Sequence, residues 1–174
     1  MKRASSIIAL GLAVFAQAEP PDIEYVFPAG GQRGTTIQVR VGGYYFHGEA
    51  NFEMLGSGVK SKSSIKKTET IWFEGPMIQQ PLSSKKEGYP KDHFGEITIH
   101  GDAQIGHRLW RCWTSQGVTR PLKFVIGDLP EITELEVAGN PIPKEVVLPV
   151  TINGRIFPRE DVDLWSFEAK AGET

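Results

Sequence analysis

Two carboxylates, one aromatic triplet and two groups of lysines carry most of the chemistry this chain offers. Asp161 and Asp163 lie two positions apart, with Glu160 beside them. On a regular strand both side chains project from one face. Such a pair supplies oxygen to a Ca²⁺ site, although Ca²⁺ takes about 6 to 8 oxygen ligands and the others are not identifiable in the sequence. A solvated strand edge, or capping of a turn by Asp161, is the competing reading. Tyr44-Tyr45-Phe46 follow Gly42-Gly43, where one end of a β-fold would present loops. Aromatics exposed there would stack on a sugar ring or meet a protein partner, and core packing is the alternative. Lys60, Lys62, Lys66 and Lys67, with Lys85, Lys86 and Lys91 further on, form either a basic patch for anionic polysaccharide or the guard that strand edges carry against unwanted pairing.

Reactive constellations are absent from the local patterns. His47, His93, His100 and His107 make no His-x-x-x-His or His-Glu-x-x-His arrangement, so no zinc site is built locally. No Gly-x-Ser-x-Gly elbow occurs, and Gly30-Gly31-Gln32-Arg33-Gly34 is a turn with no helix behind it, unlike a phosphate loop. Cys112, the only cysteine, lies between Trp110 and Trp113 and is expected as a buried, inert thiol; it leaves the chain without an internal disulfide. No catalytic residue is assigned, and the chain is read as non-enzymatic with no cofactor beyond the Ca²⁺ candidate.

The elements that must position these residues are strands. The 19 Gly and 12 Pro are spread so that no long window keeps apolar residues at helical spacing. Period-2 alternation predicts strands at residues 23–27, 35–41 (ended by Gly42-Gly43), around Phe52 and Met54, 59–65, 71–73, 95–99, 106–114 and 122–126. A long polar loop is expected over 76–93. In the strand at 106–114, Trp110 and Cys112 share one face and Leu109, Arg111 and Trp113 the other. Short strands at this spacing without intervening helices argue for an antiparallel, immunoglobulin-like β-sandwich over residues 22–128. The turn-rich segment 127–131 closes it. Residues 129–174 form a second all-β unit with strands expected over 146–150, 151–156 and 162–167, too few to cover both faces of a sheet.

At the N-terminus, Met1-Lys2-Arg3, an apolar run from Ala4 to Phe15 and Ala16-Gln17-Ala18 have the form of a secretory signal peptide cleaved after Ala18. The apolar run is short of the roughly 20 residues of a membrane-spanning helix. Formal net charge is −2 with both signs interspersed, which implies neither a nucleic acid nor an anionic membrane partner.

Residues 28–43 (Pro-Ala-Gly-Gly-Gln-Arg-Gly-Thr-Thr-Ile-Gln-Val-Arg-Val-Gly-Gly), 102–111 and 117–132 resemble the opening and closing halves of a TIG-type immunoglobulin-like module found in large secreted proteins of planctomycete-type bacteria. Asn153-Gly154-Arg155-Ile156, Asp161 to Phe167 and Ala171-Gly172-Glu173-Thr174 resemble the first half of a bacterial pre-peptidase C-terminal domain, a jelly-roll-like sandwich. Residues 134–141 keep only part of that family's opening. The resemblance implies an incomplete second sandwich, further domains of a longer parent chain, and Ca²⁺ through carboxylate oxygens as in related collagen-binding sandwiches. The expected function is a non-catalytic exported module that binds cell-surface polysaccharide or protein, or spaces other domains, at a periplasmic, cell-surface or extracellular location. The alternative is the accessory N-terminal portion of a secreted peptidase or other hydrolase, with its chemistry in other segments.

Overall fold

The computed structural model describes residues 19–67, 91–134, 136–137, 140–141, 143–154 and 162–172. The expected leader, the strand at 71–73, most of the polar loop, Lys85, Lys86 and Asp161 lie outside them. The first unit contains β1 (Asp22–Phe27), β2 (Gly30–Gln32), β3 (Thr36–Tyr44), β4 (Glu49–Leu55), β5 (Val59–Ser61), β6 (Ser64–Lys67), β7 (Lys91–Ile99), β8 (Gly106–Thr114), β9 (Gly117–Val118) and β10 (Leu122–Gly127). They hydrogen-bond in the order β1-β3-β7-β6-β4-β8-β10-β2, with β5 on β7 and β9 on β8. Read as two layers, β1-β3-β7-β6 has the A-B-E-D order and β4-β8-β10 the C-F-G order of an immunoglobulin-like sandwich. All of these pairs are antiparallel except β2 on β10, which is parallel.

Alternation sets the core. Val39 and Val41 of β3, Ile97 and Ile99 of β7 and Ile65 of β6 meet Phe52, Trp110, Cys112, Phe124 and Ile126 of the other layer in one cluster. Burial of each large apolar side chain contributes about 1.5–3 kcal/mol, and Phe52 meets Trp110 edge-on with ring centroids 5.9 Å apart. Of the two faces expected for β8, the one bearing Trp110 and Cys112 faces the core. At its far end Arg108 leaves the core and ties three carbonyls, donating to Ser57, Gln104 and His107.

Gly42-Gly43 does not end β3, which runs on to Tyr44. These glycines are places where rings take the room of a side chain. A Cβ on Gly42 would fall within the Tyr25 ring, and one on Gly43 would stand 2.5 Å from Phe46 Cζ. The strand expected over 59–65 is likewise two short ones, β5 and β6, both paired with β7. β7 itself begins at Lys91, inside the segment expected as loop.

Among the described residues the second unit has three two-stranded ladders. β11 (Glu131–Thr133) pairs parallel with β15 (Thr151–Asn153), β12 (Glu136–Val137) antiparallel with β13 (Asn140–Pro141), and β14 (Lys144–Glu145) parallel with β16 (Trp165–Ser166). No strand forms over 146–150, and the one expected over 162–167 is confined to Trp165–Ser166. Prolines 143 and 149 lack the N–H that longer ladders need. Val146 is buried, whereas Val147, Leu148, Val162, Leu164 and Phe167 are exposed.

Candidate binding site

The outward face of β4, β8 and β9 follows from register. Asn51 lies opposite Trp113, Glu53 opposite Arg111 and Leu55 opposite Leu109, while Trp113 also faces Val118 and Thr114 faces Gly117 in the β8–β9 hairpin. Partners across a ladder point to the same side. Trp113 thus stands outward while Trp110, three residues earlier, points into the core. Together Glu53, Arg111, Trp113, Thr114, Gly117 and Val118 line an open depression of about 360 Å³. Arg111 Nε donates to the Glu53 carboxylate. Both partners are partly exposed, so the pair contributes no more than about 1 kcal/mol to stability. Its consequence is orientation, because it fixes planar donors and acceptors beside an indole. Asn51 Nδ2 donates to the Trp113 carbonyl at 3.3 Å, tying the start of β4 to the same spot.

The turn between β3 and β4 stands at this end of the sandwich. Asp22 at the start of β1 lies opposite Tyr44, and the turn leads directly into Glu49 to Asn51. Pro20 lies against the hairpin, 3.3 Å from where a Cβ on Gly117 would be. Arg120 Nη2 donates to the Ile23 carbonyl at 3.2 Å, and its Nε is 3.9 Å from Asp22 Oδ1.

Within the turn the aromatic triplet divides. Tyr45 is 52 % exposed with φ of 61°, and its ring centroid is 6.3 Å from that of Tyr44 at a 47° tilt. Phe46 is 1 % exposed, a core residue and not a surface aromatic, and meets His93 edge-on with centroids 5.0 Å apart. His47 also has a positive φ, 59°, and its carbonyl lies 3.3 Å from His93 Nε2. A left-handed conformation costs a residue with a Cβ about 1–2 kcal/mol. Histidine visits it more readily than tyrosine does. Two adjacent tyrosines and a tryptophan are thereby presented at one end, on elements far apart in sequence.

The lysines lie elsewhere. On the outward face of β3, β7 and the β5–β6 segment, Thr36 meets Thr98 at 3.0 Å, Gln38 Nε2 donates to Glu96 Oε2 at 2.8 Å, and Lys62 Nζ reaches the same oxygen at 3.1 Å. These hydrogen bonds, that from Gln38 foremost, hold the Glu96 carboxyl below its ordinary value. Lys66 lies opposite the exposed Phe94, and Lys60 opposite Thr98. Lys60, Lys62 and Lys66 are thus lateral neighbours of β7 residues, part of a hydrogen-bonded face with Glu96 at its centre.

Asp163 lies just before β16. A Cβ on Gly154 would stand 3.2 Å from Glu134 Oε2 and 3.5 Å from Asp163 Oδ2, so the absent side chain admits two carboxylates. Among the described residues no three His, Cys, Asp or Glu side chains converge as a metal site, and Asp161 is outside them. Two carboxylates fall well short of the oxygen shell that Ca²⁺ requires. His93 Nε2 lies against the His47 carbonyl.

The sequence puts Trp113 on the face of β8 opposite Trp110 and Cys112 but does not join it to Glu53 or Val118. The usable signal was alternation in β4 and β8; the register that joins them is not written in either strand.

No family model and no curated protein matches the chain. Among solved structures, the SrpA adhesin from Streptococcus sanguinis is similar with a TM-score of 0.34 and 18 % identity, over 66 % of this chain and 59 % of that chain. This chain thus spans less than two thirds of that protein's length. A likeness at that TM-score carries no argument about what this chain does.

Proposed function

We propose that the chain is a non-catalytic, exported binding module of a larger cell-surface or secreted protein, and that the sandwich end bearing Trp113, Tyr44 and Tyr45 is its contact surface. The observation that carries the reading is the open depression in which Trp113 stands beside the Glu53–Arg111 pair. Its side chains are fixed by a sheet, and fixed groups lose little freedom on binding. Export rests on the leader-like N-terminus. The resemblance of residues 129–174 to a pre-peptidase C-terminal domain, together with the exposed Val147, Leu148, Val162, Leu164 and Phe167, suits a unit covered by other parts of the same parent. Those exposed side chains equally suit the accessory portion of a secreted peptidase.

The test is retention of the full chain on insoluble cell-wall polysaccharides and on collagen-like polymers. Trp113→Ala should weaken retention roughly tenfold, the worth of a well-placed aromatic contact. Retention that survives both Trp113→Ala and Arg111→Ala would move the contact surface elsewhere. If no polymer holds the chain, the binding reading fails.

A further inference from the structure

We infer that the ligand of this end is a neutral carbohydrate chain, laid across the Trp113 depression and the Tyr44–Tyr45 pair; the inference rests on the binding reading above. Its first support is the conformation of Tyr45. A bulky side chain at φ of 61° is an outlier, and glycine or asparagine would occupy that backbone with less strain. The ring is 52 % exposed, so core burial does not compensate. Both neighbours hold the turn in place, Phe46 by entering the core and His47 through its carbonyl against His93. The result is an aromatic ring held toward solvent on a rigid support, and strain of this kind gathers at ligand contacts.

The second support is the company these rings keep. Trp113 and the tyrosines are separate rings among polar groups: Asn51, the Glu53–Arg111 pair, Thr114, and Asp22 beside Arg120. A protein partner calls for a contiguous apolar centre of interface size. A sugar ring instead offers one C–H face to an aromatic and hydroxyls at its rim to carboxylate, amide and guanidinium groups. Glu53 and Arg111, the charged residues lining the depression, neutralise one another, so a neutral saccharide fits better than an anionic one. The depression is open, and the β3–β4 turn that carries the tyrosines leads straight into Asn51, the residue opposite Trp113, which suits an extended chain over a single small molecule.

The deciding experiment titrates the full chain with cellohexaose, chitohexaose and mannohexaose, with gelatin and polygalacturonate as comparison probes, using wild type, Tyr45→Gly, Tyr45→Asn and Trp113→Ala. A neutral hexasaccharide should bind. Both Tyr45 substitutions should weaken it roughly tenfold while raising the melting temperature, a combination that a merely structural tyrosine would not produce. Unchanged saccharide binding in the Tyr45 variants, or a lowered melting temperature in both, overturns the inference. Binding of gelatin or polygalacturonate through Trp113, without any neutral hexasaccharide, overturns the carbohydrate assignment and leaves the binding reading standing. Failure of every probe overturns both.

Discussion

Cys112 is fully buried, and desolvation pushes its thiol up to about 12. The thiolate that reacts with electrophiles is therefore scarce near neutral pH. Iodoacetamide should leave the native chain unlabelled and modify it once denatured, as mass spectrometry would show; rapid native labelling would contradict the burial. Glu131 behaves differently. Burial raises its carboxyl, and the hydrogen bond from Asn153 Nδ2 at 2.7 Å opposes the rise. Because the folded form binds this proton more tightly, stability from this group increases as pH falls through the raised value and levels off below the ordinary carboxylate range. Glu131→Gln keeps an acceptor for Asn153, so it should stabilise the second unit at neutral pH and flatten that part of the profile in thermal melts. Single residues also mark where the sequence was legible. Cys112 was legible as buried, and period 2 puts Trp110 on its face; Phe46 was not legible, because positive φ at Tyr45 and His47 breaks the alternation on either side of it.

Among the elements, β3 shows how a local rule yields to packing. Paired glycines at its end looked like a stop signal, yet the strand continues because the Tyr25 and Phe46 rings occupy the space where side chains would be. Gly42→Ala should cost about 1–3 kcal/mol through overpacking, measured as a lower urea midpoint with an unchanged slope. A neutral outcome would mean that Tyr25 can move aside. Strands with strong alternation, such as β8, were legible to the residue. Short parallel ladders such as β14 with β16 were not, since two-residue strands carry no period and their partners lie some twenty residues away.

At the scale of the molecule, the main hydrophobic cluster runs from Ile23 to Ile126 and, among the described residues, takes nothing from those beyond. Residues 19–128 should therefore melt as one cooperative transition without the second unit, by calorimetry; a broad, non-cooperative melt would show that the division at 127–131 is misplaced. When the full chain is produced in an exporting bacterium, intact-mass analysis should find Glu19 as the first residue, and retention of residues 1–18 would remove the export reading. The sandwich class was legible because it depends on strand number and spacing. Of the candidate site, Tyr44 and Tyr45 stood out in the sequence, whereas the Trp113 depression did not, because it joins residues from Glu53 to Val118 through pairing register alone. Strand β2 carries a further consequence. It leaves the layer of β1 and lies parallel on β10, with Gly30 opposite Val125 and Gln32 opposite Gly127, and Arg33 adds an ion pair to Asp128 at 2.7 Å. Tension applied between Ala29 and Asp128 enters β2 at its start and leaves β10 at its finish, so the ladder bonds are loaded together in shear instead of opening one after another. Single-molecule stretching between these two points should find an abrupt rupture there, weakened by Arg33→Ala.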